Sequence, residues 1–126
     1  MTSLAQLHRA GVLHGDICPE NLLVSREGAL CLINFGSVRG LRTVPMARRT
    51  PYLPEEKLQQ TGITGPWTDV YGLSAVAYRM LTGEAPDCTR GDDGSLSASV
   101  EPAIRKGLAP GRKDRWQNFD AYLAAL

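Results

Sequence analysis

A chain of 126 residues, with a mass of 13.7 kDa, has the length of one small domain, which excludes an enzyme built from two separately folded domains. Its 43% hydrophobic and 21% charged residues are typical of a globular protein. The 14 basic and 13 acidic residues nearly cancel, so the charge excess that marks nucleic-acid-binding proteins is absent. We therefore expect a globular domain with no nucleic-acid partner.

The three cysteines, Cys18, Cys31 and Cys88, lack the C-x-x-C spacing of zinc sites and are too few for a disulfide framework. No stretch reaches the roughly 18 apolar residues of a membrane span. These features predict a cytoplasmic chain with no membrane partner. The start at Met1 leaves open whether the chain is a piece of a longer protein.

The hydrophobic pattern predicts a mainly α-helical fold with one small β-hairpin, in a single domain over residues 1–126. The clearest helix is predicted at about 67–82, where apolar residues recur at three- and four-residue steps before Gly83. The other elements are a helix that ends before Gly11, a hairpin over 22–33, a long loop over 34–55, and C-terminal helices at about 99–126.

The segment 14–21 carries the residues with the clearest chemistry. Asp16 is followed five residues later by Asn21, directly before the predicted hairpin. In phosphoryl transfer an Asp in such a loop accepts the proton of the attacking hydroxyl, and an Asn oxygen helps to hold a magnesium ion. Because a D-x-x-x-x-N pair is common by chance, Asp16 as a turn residue and Asn21 as a cap before the strand remain an alternative.

A further motif, Asn34-Phe35-Gly36, follows the second predicted strand. With it the chain resembles the C-terminal lobe of a bacterial eukaryotic-like (Hanks-type) Ser/Thr protein kinase. His14-Gly15-Asp16 stands where that family has H-R-D, and Cys18-Pro19-Glu20-Asn21 stands where it has K-P-E-N. Asn34-Phe35-Gly36 stands where it has D-F-G. The resemblance implies a catalytic loop at 14–21 and an activation-segment-like loop at 34–55.

The second half of the chain resembles the same family. Tyr52-Leu53-Pro54-Glu55 is similar to its A-P-E segment, and Thr68-Asp69-Val70-Tyr71 is similar to the start of its central helix. Leu81-Thr82-Gly83 is similar to the exit of that helix, and Asp114-Arg115-Trp116-Gln117 to its R-W-Q segment. By this resemblance Glu55 pairs with Arg115, Asp69 caps the backbone of the catalytic loop, and His14 braces that loop.

The departures from the family motifs concern catalysis. The sequence has no N-terminal lobe, and therefore no Gly-rich loop and no strand Lys for the nucleotide phosphates. Asn34 replaces the magnesium-binding Asp, and a neutral amide is a weaker ligand for a hard cation than a carboxylate. Gly15 replaces the Arg that binds a phosphorylated loop, and Cys18 replaces the catalytic-loop Lys. Asn21 and Asn34 thus form at most a weak, degenerate metal site.

The resemblance therefore implies a truncated kinase-like C-lobe, inactive as an isolated chain, that serves as a pseudokinase-type interaction or regulatory module. Such a lobe binds no cofactor alone, and Mg-ATP only if an N-lobe is supplied. Its uncovered surface predicts a protein partner or a homodimer. One alternative is that the chain is one half of a split or longer active Ser/Thr kinase, in which Asp16 and Asn21 keep their roles. A second is a fragment of an aminoglycoside or choline phosphotransferase, a family that also has H-G-D. A third is a decayed remnant without function.

Overall fold

The fold is known from a computed structural model, which describes residues 4–34, 50–58, 63–87, 94 and 96–126. In the described ranges it is mainly helical, with one two-stranded antiparallel sheet, as the sequence predicts. The α-helices are α1 (Leu4–Arg9), α2 (Glu55–Leu58), α3 (Pro66–Thr82), α4 (Glu101–Gly107) and α5 (Phe119–Ala125). The strands are β1 (Leu22–Val24) and β2 (Leu30–Leu32), and short 3₁₀ helices span Pro19–Asn21 and Arg112–Asp114.

Residues at both ends of helix α3 explain where the helix begins and ends. Pro66 occupies the first turn, where its missing N–H costs nothing, and the Thr68 hydroxyl accepts a hydrogen bond from the Gly65 N–H at 3.2 Å. Gly83 ends the helix in the left-handed region, with φ 79°, and its N–H donates to the Arg79 carbonyl. The predicted helix at about 67–82 is therefore observed with a start one residue earlier.

The core is organised around α3. Val70 and Ala75 are completely buried, and α3 packs against both α4 and α5. Helix α1 contributes Leu4 and Ala5 to the same core and contacts α5. The C-terminal end of α3 is different, since Met80 and Leu81 are largely exposed. Helix α3 is therefore buried at its start, where the candidate site lies, and solvated at its end.

The hairpin follows the segment 14–21, which we call the site loop. In the hairpin register Leu22 pairs with Leu32, Leu23 with Cys31 and Val24 with Leu30. The first pair packs partly on the core, whereas the outer residues Leu23, Val24 and Leu30 are exposed. Because the Ile33 N–H also donates to the Asn21 carbonyl at 3.0 Å, the end of β2 is fixed beside the site loop.

The predicted C-terminal helical region at 99–126 contains two helices with a connection between them. Helix α5 begins at Phe119, after Trp116, because the Asn118 side chain accepts a hydrogen bond from the Ala121 N–H at 2.8 Å and so caps the helix. The indole N–H of Trp116 donates instead to the Ala103 carbonyl on α4.

Within the described part of the chain, no helix is long and apolar enough to cross a membrane. Most of the predicted loop at 34–55, including Phe35 and Gly36, lies outside the described residues, as does Cys88.

Candidate functional site

Asp69 connects the site loop to the central helix. It lies in the first turn of α3 and is 1% exposed. Its Oδ2 accepts a hydrogen bond from the His14 N–H at 2.8 Å, and its Oδ1 accepts one from the Gly15 N–H at 2.7 Å. Gly15 has φ 78°, a left-handed conformation that favours glycine. One buried carboxylate therefore fixes the backbone at the start of the site loop.

A third donor to Asp69 is His8, on α1. Its Nε2 lies 2.8 Å from Asp69 Oδ2, and the two side chains are 6% and 1% exposed. The His8 ring also packs edge-on against Phe119 of α5. The site loop is therefore tied through Asp69 to α1 as well as α3. His8 lies 61 residues from Asp69 along the chain, and the pattern of apolar residues, which favours a helix-terminal or packing position for His8, carries no signal for this contact.

His14 is completely buried and spans the site loop and the hairpin. Its Nδ1 accepts a hydrogen bond from the Asp16 N–H at 3.3 Å, so its Nε2 carries the proton and donates to the Ile33 carbonyl at 2.8 Å. The neutral tautomer of His14 thus orients the backbone at Asp16 with respect to the end of β2.

The site loop also lies directly on α3, at Gly72. A Cβ at this position would lie 2.7 Å from the Ile17 carbonyl oxygen and 2.9 Å from the Ile17 Cβ. Ile17 is itself 3% exposed and belongs to the core. The absence of a side chain at Gly72 therefore allows the loop backbone to approach the helix this closely.

Three polar side chains meet at the open side of the site loop. Asn21 donates from Nδ2 to the Asp16 carbonyl at 2.8 Å and to the Asp16 carboxylate at 3.0 Å. Asn34, just beyond β2, donates from its own Nδ2 to Asn21 Oδ1 at 2.9 Å. The structure therefore brings together Asp16, Asn21 and Asn34, the residues assigned to catalysis and metal binding from the sequence.

The thiol of Cys18 borders the same site. Burial, the negative charge of Asp16 and a hydrogen bond with Glu20 together raise the pKa of Cys18 from 9.0 to about 11. Each effect disfavours the thiolate. The thiol is therefore neutral at physiological pH and has little nucleophilic character. In the family motif this position carries a Lys, so a positive charge is replaced by a neutral group.

A buried ion pair joins α2 to Arg115, which directly follows the 3₁₀ helix Arg112–Asp114. Arg115 donates to both carboxylate oxygens of Glu56, at 2.6 and 3.1 Å, and to the carbonyls of Ala109 and Pro110. The predicted pair between Arg115 and Glu55 is therefore wrong by one residue. Neighbouring residues in a helix point about 100° apart, and Glu56 is the one that faces Arg115, whereas Glu55 is exposed.

Comparison with known proteins gives the family. The model for the protein kinase domain matches residues 1–122. A Corynebacterium efficiens protein described as serine/threonine-protein kinases drp72 is 36% identical over 103 residues, which are 77% of this chain and 19% of that protein. The serine/threonine-protein kinase PknL of Mycobacterium tuberculosis is 36% identical over 89 residues, which are 66% of this chain and 22% of PknL. The chain thus spans about a fifth of the length of these curated relatives.

A solved structure, described as the apo form of PpkA-294, has the same fold. It superposes with a TM-score of 0.78 at 22% sequence identity, and the match covers 97% of this chain and 49% of that one. The family model covers nearly the entire sequence, including the site loop, α3 and Arg115. This chain therefore belongs to the protein kinase family.

Proposed function

We propose that this chain is a kinase-like C-lobe that does not transfer phosphate by itself and acts as a pseudokinase-type interaction or regulatory module. The observation that carries the proposal is the set of side chains in the site, in which the Asn21 amide binds the Asp16 carboxylate and the Asn34 amide binds Asn21.

Phosphoryl transfer depends almost entirely on positioning and on stabilising the charge that develops. Loss of a single electrostatic contact of this kind typically costs about 3 kcal/mol, or a factor of roughly 10²–10³ in rate. In this site the metal-binding carboxylate is an amide at Asn34 and the positive charge of the loop is a neutral thiol at Cys18. We therefore expect no useful catalysis from these 126 residues alone.

The assignment to a C-lobe is supported by the motifs at His14-Gly15-Asp16 and Asp114-Arg115-Trp116, and by the match to the solved PpkA-294 structure, which covers 49% of that chain. Isothermal titration calorimetry with ATP, with and without Mg²⁺, tests the proposal directly. We expect no magnesium-dependent heat of binding. Tight Mg-ATP binding, or transfer of phosphate to a protein substrate that is lost in Asp16→Ala, would overturn it.

A second candidate function is one half of an active Ser/Thr kinase, with the nucleotide-binding half supplied by another polypeptide or by more of the same protein. It is favoured by the retained geometry at Asp16, whose carboxylate is held by Asn21. The intact mass of the native protein separates the two candidates. A mass well above 13.7 kDa favours this one, because the missing half would then be part of the same chain.

The interaction surface that we propose is the exposed outer end of the hairpin, formed by the cross-strand pair Val24 and Leu30. These side chains are 66% and 40% exposed and lie on the same face of the hairpin, and neighbouring exposed apolar residues favour association. The partner is a protein, in the simplest case a second copy of the chain. Light scattering is expected to show a dimer that Val24→Lys dissociates, whereas Leu126→Lys, at another exposed apolar position, leaves it intact. A monomer at high concentration with no protein partner would overturn this assignment.

A further inference from the structure

The direction of the hydrogen bonds around Asn21 is fixed by its partners. Its Nδ2 faces the carbonyl and the carboxylate of Asp16, which are both acceptors. The opposite end of the Asn21 amide is therefore its oxygen, and the group of Asn34 that lies 2.9 Å from this oxygen must be a donor. Reversing either amide would place like groups against each other.

This arrangement does not fit the magnesium ion that the family implies. A hard divalent cation takes oxygen ligands, and an amide N–H group cannot coordinate it. In the described site the Asn21 oxygen is directed at the Asn34 N–H group, and one oxygen of Asp16 already accepts from Asn21. A cation between Asn21 and Asn34 would have to displace this hydrogen bond.

The backbone conformation at Asn34 allows the side chain to be replaced without new backbone strain. Asn34 has φ 61°, in the left-handed region, where Asn and Asp are tolerated better than most other residues with side chains. Replacing Asn34 by Asp therefore changes the group that faces Asn21 Oδ1 from a donor to an acceptor while the backbone remains acceptable. Replacing it by Gly removes the group and relieves the backbone.

We propose that the Asn34 amide takes the place of a cation in this site, so that the chain of hydrogen bonds from Asn34 through Asn21 holds the Asp16 carboxylate without metal. Asn34 is then a positioning residue that acts on Asp16 through Asn21. The proposal concerns the same site as the proposed function and rests on its assignment of Asn34 as a non-catalytic amide. It explains how the loop keeps its shape although the magnesium-binding carboxylate is absent.

The test compares Asn34→Asp with Asn34→Gly in the full chain, with Mg²⁺ or Mn²⁺ and without ATP. The Tm of wild type is expected to be unaffected by the cation. Asn34→Asp places two acceptors against each other and is expected to lower the Tm by roughly 3–6 °C, and millimolar cation is expected to restore it. Asn34→Gly also loses the donor, and cation is not expected to restore its Tm.

Paramagnetic broadening of NMR signals by Mn²⁺ is a second measurement. A purely structural role of Asn34 would not change this broadening. We expect broadening of the Asn21 side-chain amide signals in Asn34→Asp and none in wild type. Cation stabilisation of wild type as large as that of Asn34→Asp would overturn the proposal, as would an equally large cation stabilisation of Asn34→Gly. Phosphate transfer by the wild-type chain would instead overturn the proposed function, so the two failures are distinguishable.

Discussion

The guanidinium of Arg115 is completely buried and bound to both carboxylate oxygens of Glu56, whose side chain is 9% exposed. The cation also lies over the Tyr71 ring of α3, 4.8 Å from its centroid. This pair joins α2 and the segment before α5 to the central helix. Removing one partner of such a buried pair strongly destabilises a protein, because the other charge is then left buried without a counter-ion.

Replacing Glu56 by Gln should therefore destabilise the chain by about 2–4 kcal/mol, because a neutral amide leaves the Arg115 charge without a buried counter-ion. Urea unfolding followed by circular dichroism measures the change. The matched control is Glu55→Gln on the same helix, where the residue is exposed and the expected loss is below about 1 kcal/mol. Equal losses in the two variants would contradict the assignment of Glu56 as the partner.

The error at Glu55 shows what the sequence could and could not predict. Helix α3 was predictable because its apolar residues recur at three- and four-residue steps, and the hairpin because two short apolar runs flank a turn that ends at Gly28. Two adjacent glutamates are equivalent in such a pattern, and only the orientation of α2 decides which one faces Arg115. The bond between Asn21 and Asn34 likewise depends on the hairpin register, which places residues 13 apart in contact.

Replacing Asp69 by Asn should release the start of the site loop. Asp69 accepts from three N–H groups with its two oxygens, and an Asn side chain in either orientation turns a donor toward at least one of them. We expect a loss of about 2–3 kcal/mol and faster amide hydrogen exchange at His14 and Gly15. Exchange measured by NMR tests the local part of this expectation.

The control for Asp69 is Asp120→Asn. Asp120 forms an ion pair with Arg9 at 2.8 Å, but the two side chains are 55% and 67% exposed. The expected loss is below about 1 kcal/mol, with exchange at the site loop unchanged. Protection of the His14 and Gly15 amides that survives in Asp69→Asn would show that other contacts hold the loop.

Replacing Gly72 by Ala should reverse the usual effect of this substitution. In a helix interior Ala is normally more stable than Gly by about 0.5–1 kcal/mol. At Gly72 the new methyl group would lie 2.7 Å from the Ile17 carbonyl oxygen, so the site loop has to move. We expect a net loss of about 1–3 kcal/mol in thermal or urea unfolding.

A control on the same helix is Ala77→Gly, which measures the ordinary difference between the two residues in α3 and is expected to cost about 1 kcal/mol. If helix preference alone governed Gly72, the Gly72→Ala variant would be more stable than wild type. That outcome would refute the close approach of the loop backbone to the helix.

The environment of Cys18 predicts a specific dependence of alkylation on pH. Only the thiolate reacts with iodoacetamide, and burial together with the Asp16 charge raises the pKa of Cys18 to about 11. In a variant with Cys31 and Cys88 replaced by Ser, the alkylation rate should therefore still rise above pH 9.0, the ordinary value for a thiol. Removing the negative charge in Asp16→Asn stabilises the thiolate, so the midpoint should move to lower pH and the rate at pH 8 should increase.

Glu27→Gln in the exposed hairpin turn is the matched control and should leave the profile unchanged. A midpoint that does not move in Asp16→Asn would show that the Asp16 carboxylate is not held beside Cys18, and the positioning of that carboxylate by Asn21 would then need a different explanation.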